Sequence, residues 1–171
     1  MNNAEFKEVY NDLRPLVRTT GERDALFEEI DTIISKLYDT DPDSLDVIIA
    51  SQARTDAARI ISHILAALNV SKNSKAVEEA LEDIKKYLHE RDILRMDIAF
   101  EPNEETTGLV GGWVSRNIAG HVLVEFVINR TLIGGVRISF QGRYKEVTLT
   151  TLIDLFLKTK DRDIENMLRV A

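Results

Sequence analysis

"TLIGGVRISFQGRYKEVTL", residues 131–149, carries the densest local signal in the chain. A β-prone run reaches a double glycine at Gly134-Gly135. Apolar-polar alternation then resumes on both sides of Gly142, in "GVRISF" and "RYKEVTL". Glycine at such a place permits positive φ or the close approach of another backbone. By itself the pair also reads as a hairpin bend, so it decides no function. The residues around it decide the fold.

Immediately upstream, "HVLVEFVIN" (121–129) is strongly β-prone, and "ILRMDIAF" (93–100) alternates as a half-buried strand does. Between them "PNEETTGLVGGWVSRNIA" (102–119) predicts a helix from about Asn103, with acidic residues at its positive N-terminal end. Gly108, Gly111 and Gly112 weaken that helix signal. Downstream, "TTLIDLFLK" (150–158) returns to helical spacing, and a short terminal helix is expected near 162–169. Residues 92–171 therefore read as a small α/β domain in the order strand-helix-strand-strand-helix.

Residues 1–91 have a different texture. Phe6, Val9, Tyr10, Leu13 and Val17 follow the three-four spacing of an amphipathic helix. Thr19 and Glu22 have capping-box spacing, opening a helix with a stripe of Leu26, Ile30, Ile33, Ile34 and Leu37. Asp41-Pro42 suggests an N-cap followed by proline at the first helical position, before Leu45, Ile48 and Ile49. Further stripes run from Ala53 to Leu68 and from Val77 to Leu88. Each stripe needs a neighbour to bury it, so an N-terminal helical bundle of four to six helices is expected. The fold class is α+β.

Composition narrows the function. The 171 residues carry a net charge of −7 and 44% hydrophobic residues, enough for a packed core. The acidic balance argues against a nucleic-acid partner or an anionic membrane surface. Residues 1–91 hold 12 Lys/Arg against 18 Asp/Glu, while 92–171 hold 10 against 11. A solvated acidic helix surface explains this asymmetry, and so do two units with different partners. There is no cysteine, which rules out disulfides and thiolate chemistry. The start, "MNNAEFKEVY", has no signal-peptide pattern, and no apolar run approaches the ~18 residues of a membrane span. A soluble, cytoplasmic protein without direct membrane insertion is expected.

Catalytic and metal motifs find little support. His63, His89 and His121 are far apart and lack ligand spacing; His63 flanks an apolar stripe and reads as a core or boundary residue. "DTDPDSLD" (39–46) lacks the glycine and terminal glutamate of a calcium loop, and helix capping accounts for it better. "GLVGGWV" (108–114) matches no phosphate or dinucleotide fingerprint; close backbone packing around Trp113 is the plainer reading. No nucleophile, base and orienter can be assembled from motifs, so no enzyme, metal or cofactor is expected.

Taken whole, "VLVEFVINRTLIGGVRISFQGRYKEVTLTTLIDLF" resembles the C-terminal signature of the delta subunit of F-type ATP synthases, the oligomycin-sensitivity-conferring protein family. Leu132, Ile133, Gly134 and Gly135 match the family's Leu-Ile-Gly-Gly. Asn129, Arg130 and Thr131 replace its Asp-Pro-Ser. Glu146 and Thr148 stand at the Asp and Ser of a later Asp-Gly-Ser step, with Val147 at its glycine, and Leu152 matches a helix leucine. The motif covers about residues 121–154; the rest agrees in layout only.

The resemblance implies a non-catalytic stator subunit on the peripheral stalk of a proton- or sodium-translocating ATP synthase. Such a subunit is cytoplasmic, at the inner face of the energy-transducing membrane through its complex. Its implied partners are the N-terminal segments of the alpha subunits and the C-terminal ends of the b-type stalk helices. A groove on the bundle for the alpha segment would use Phe6, Tyr10 and Leu13 or Val77, Leu81 and Ile84, although the same residues serve equally as core. Leu132 and Ile133 either cover a stalk helix or fill the core, and core filling is the plainer reading. Two other readings stand beside this one. The E-type stator subunit of vacuolar or archaeal ATPases has a related strand-Gly-Gly-strand end but begins with one long helix. A small regulatory, ligand-binding α/β protein would need a polar pocket in residues 92–171.

Overall fold

The computed structural model describes residues 9–38, 45–71, 73–118 and 120–149. Phe6, Asp41-Pro42, Leu152 and the helices expected beyond residue 149 lie outside the described residues. Among the described residues, five helices, mostly in the N-terminal half, and a four-stranded mixed sheet in the C-terminal half make an α+β fold. The chain divides into two compact units. One comprises Met1–Asp92 and Gly111–Leu123, the other Ile93–Val110 and Val124–Ala171.

The first unit begins with a 3-10 turn, Tyr10–Leu13, then α1 (Thr20–Leu37), α2 (Leu45–Gln52), α3 (Thr55–Ala67) and α4 (Ser74–His89). Helix α1 starts where its capping box requires. The Glu22 amide donates to Thr19 Oγ1 at 3.1 Å, and the Thr19 amide donates to Glu22 Oε2 at 3.0 Å. At α4 the Ala76 amide donates to Asn73 Oδ1 at 2.7 Å. Lys86 and His89 stand in the last turn of α4, against the negative end of its dipole. Apolar stripes fill one core: Leu13, Leu26, Ile30, Ile33, Ile61, Ile64, Leu81, Ile84 and Leu88 are all fully buried. Each such side chain contributes about 1.5–3 kcal/mol of transfer free energy. Leu123, from the segment 111–123, is fully buried in the same core.

The second unit holds the sheet. Its strands are β1 (Asp92–Ile98), β2 (Val122–Ile128), β3 (Gly135–Phe140) and β4 (Arg143–Thr148), in spatial order β2-β1-β3-β4. The ladders β1–β3 and β3–β4 are antiparallel. Helix α5 (Glu104–Asn117) connects β1 to β2, which form the parallel pair of the mixed sheet. The Thr106 amide donates to Asn103 Oδ1 at 2.8 Å, and α5 starts about where the sequence predicts, with Glu104 and Glu105 in its first turn.

Three details differ from the sequence expectation. "GVRISF" and "RYKEVT" are two strands rather than one, so the order through residue 148 is strand-helix-strand-strand-strand. A two-residue turn makes this possible, because Gln141 (φ 47°) and Gly142 (φ 74°) both adopt the left-handed conformation of a hairpin turn that matches strand twist. The double glycine is not a hairpin bend, since β1 lies between β2 and β3. Gly135 has φ 89°, and a Cβ there would stand 2.6 Å from Thr148 Cα and closer still to the Val147 carbonyl oxygen. Close backbone approach explains it. Finally, Trp113 is not the centre of a tight glycine contact, being 52% exposed. The tight contact is at Gly111, where a Cβ would lie 3.1 Å from Arg18 Cδ.

Candidate functional site

Residues two apart on a strand share a face, and the register stacks Asp97, Arg137 and Glu146 across β1, β3 and β4. Arg95, Ser139 and Tyr144 align in the next row. The outcome is a charged ladder reaching every strand. Arg95 Nη1 lies 3.9 Å from Glu125 Oε2 on β2, and Arg95 Nε donates to Asp97 Oδ1 at 3.1 Å. Arg137 Nη1 lies 3.7 Å from Asp97 Oδ2, and Arg137 Nε donates to Glu146 Oε2 at 3.2 Å. The Tyr144 hydroxyl also donates to Glu146. That bond, with those from Arg137 and Thr148, holds the Glu146 carboxyl below the usual carboxylate range against a smaller push from burial. The Tyr144 hydroxyl is raised chiefly by the same bond to Glu146.

Each charge in this ladder is matched by a neighbour. The guanidiniums of Arg95 and Arg137 are each engaged by carboxylates of neighbouring strands. Of the residues singled out by sequence, Glu146 sits in the ladder. Thr148 pairs with Gly135 and is buried, and its Oγ1 donates to Glu146 Oε1 at 3.3 Å. Leu132 is buried, whereas Ile133 is 65% exposed, so only the first of that pair fills core. Arg95, Asp97 and Arg137 were not singled out by sequence. Their alternation was visible as strand patterning, but cross-strand pairing depends on register, which no local motif encodes.

The bundle residues considered for an alpha-segment groove have a different fate. Tyr10, Leu13, Val77, Leu81 and Ile84 all lie in the bundle core, with relative exposures between 0% and 5%. The spacing that suggested a groove is the spacing that fills the interior. Tyr10 packs on Tyr87 with ring centroids 4.8 Å apart. Burial, reinforced by Asp83 and Tyr87, pushes its hydroxyl up to about 12. A partner of the bundle must therefore use other side chains of these helices.

One open concavity lies on the bundle surface, about 520 Å³, lined by Asp12, Pro15, Arg59, Ile60 and His63. His63 Nδ1 is 3.0 Å from Asp12 Oδ2, and both side chains are at least half exposed, so His63 is a surface residue. No Ser, Thr, Cys or Lys is among its lining residues. Among the described residues, no group of three or more His, Asp or Glu side chains is placed to hold a metal ion. Nor is any helix among them long and apolar enough to cross a membrane. No protein-family model matches the chain, and no curated protein is detectably similar to it in sequence.

Proposed function

We propose that this protein is a non-catalytic stator subunit of an F-type ATP synthase, joining the catalytic head to the b-type peripheral stalk. The observation that carries this reading is spatial. The two halves of the resembling motif, Leu132–Gly135 and Glu146–Thr148, are separated in sequence but meet at one corner of the sheet, where Gly135 pairs with Thr148. The motif is thus a single structural unit: a glycine over which β4 passes closely, and an anchored acidic residue on the strand that makes the approach. An arrangement of a compact bundle and a small sheet whose charges are mutually satisfied suits torque-resisting binding better than chemistry.

The helix starts at Thr20, Thr55 and Ser74 favour this reading over the E-type stator, which opens with one long helix. The ion pairs that engage Arg95 and Arg137 on the sheet fit a protein-binding role better than a small-ligand regulator.

Purification of the tagged full chain from its native host in mild detergent tests the proposal. Recovery of alpha, beta and b-type subunits in near-stoichiometric amounts is the expected result. A clean monomer, free of any ATPase subunit, overturns it.

A further inference from the structure

His121 is 7% exposed, and its Nε2 lies 2.8 Å from the Val17 carbonyl oxygen. A carbonyl can only accept, so Nε2 carries the proton and the neutral ring presents a bare lone pair at Nδ1. Nδ1 is buried and has no hydrogen-bond partner among the described residues. Arg18 Nε is in the same condition. The rest of that guanidinium is engaged, Nη2 donating to Glu22 Oε1 at 2.7 Å, while its aliphatic stem lies against Gly111. One buried, unpartnered donor and one buried, unpartnered acceptor therefore belong to two residues that line the same cleft.

That cleft is lined by Arg14, Val17, Arg18, Gly111, Ser115 and His121, among others, and holds about 10 Å³ of free space. Such a volume suits one water molecule, and a water needs two or more polar partners to be held there. The polarity of the two walls selects the occupant. A chloride or carboxylate would accept from Arg18 Nε but would face the His121 lone pair. An ammonium would donate to His121 but would face a guanidinium. Water accepts from one and donates to the other. Leaving both atoms unsatisfied would carry the full desolvation cost of each, larger for the charged group.

We infer that this cleft is a binding site for a single ordered water, which accepts from Arg18 Nε–H and donates to His121 Nδ1. The water links the residue just before the α1 cap to the segment 111–123, within the first unit. It completes the hydrogen bonding of a capping box whose glutamate is already shared between Arg18 and Thr19. The segment 111–123 is thereby held by three kinds of contact: the buried Leu123, the His121–Val17 bond, and the solvent bridge.

The test uses the full chain labelled with ¹⁵N at neutral pH. Long-range imidazole correlations should show His121 protonated at Nε2 and bare at Nδ1. Water-selective cross-relaxation should show a long-lived water next to the His121 ring. In Arg18→Met, which keeps the stem on Gly111 but removes Nε, the water signal should be lost while the tautomer stays the same. An Nδ1-protonated ring, the absence of a long-lived water in the native chain, or a water signal that persists unchanged in Arg18→Met each overturns the inference. The native-chain measurements stand even if the variant does not fold.

Discussion

Gly134 and Gly135 differ by one position and by what a methyl group would meet. Both have positive φ, 68° and 89°, but a Cβ at Gly134 finds only Leu149 Cβ at 3.7 Å, while one at Gly135 runs into the β4 backbone. Gly134→Ala should cost about 1–2 kcal/mol, the left-handed penalty alone. Gly135→Ala should cost clearly more and open the end of the β3–β4 ladder, visible as faster amide exchange at Val136 and Thr148. Equal urea midpoints for the two variants would contradict this account. Titration provides a second check at the same scale. Burial, aided by Arg14 and Arg91, depresses the His121 imidazole below its usual 6.5, against a smaller opposing contribution from the Val17 bond. The unfolded chain then takes up the proton first, so stability is full above about 6.5 and declines as the pH falls toward the folded-state value. Burial raises Glu22, but hydrogen bonds from Arg18 and Thr19 outweigh it and hold the carboxyl below its usual 4.5, adding a second loss under that pH. In His121→Gln the first decline should vanish from urea titrations and the second should remain.

Element by element, local chemistry was legible wherever it acts within one turn. Thr19-x-x-Glu22 announced the start of α1, and Asn103 with two glutamates announced α5. The stripes of α1, α3 and α4 named their buried residues from spacing alone, Leu81 and Ile84 among them. Spacing cannot separate a core stripe from a docking stripe, because both are apolar on one side; only the packed neighbours decide. Leu81→Ala should therefore cost about 2–5 kcal/mol in chemical denaturation, as a cavity in a fully buried site does. Val47→Ala, at a position 68% exposed on α2, should change stability by no more than about 0.5 kcal/mol. Strand order stayed hidden for a different reason. Placing β1 between β2 and β3 depends on pairings between distant residues, and alternation in "ILRMDIAF" and "GVRISF" shows a strand without naming its neighbour.

At the scale of the whole molecule, the change of texture after Arg91 was visible, but the path of the chain was not. Residues 111–123 rejoin the first unit after the chain has entered the second. The cause lies in two small features, a glycine that accepts the stem of Arg18 and a leucine that reaches the bundle core. Neither leaves a periodic trace. Residues 1–91 expressed alone thus lack Val114, His121 and Leu123, all buried in the intact chain. That fragment should unfold at a lower urea concentration than the full chain and bind a hydrophobic dye more strongly; a fragment as stable as the parent would refute the dependence.

The same path has a covalent side. The backbone passes from one unit to the other after Asp92, back after Val110, and out again after Leu123. The backbone therefore crosses between the units three times, where a chain of two successive units would cross once. Taking residues 111–123 out of the first unit has to extract Leu123 from its core. Two units laced in this way cannot be cut apart at a single peptide bond.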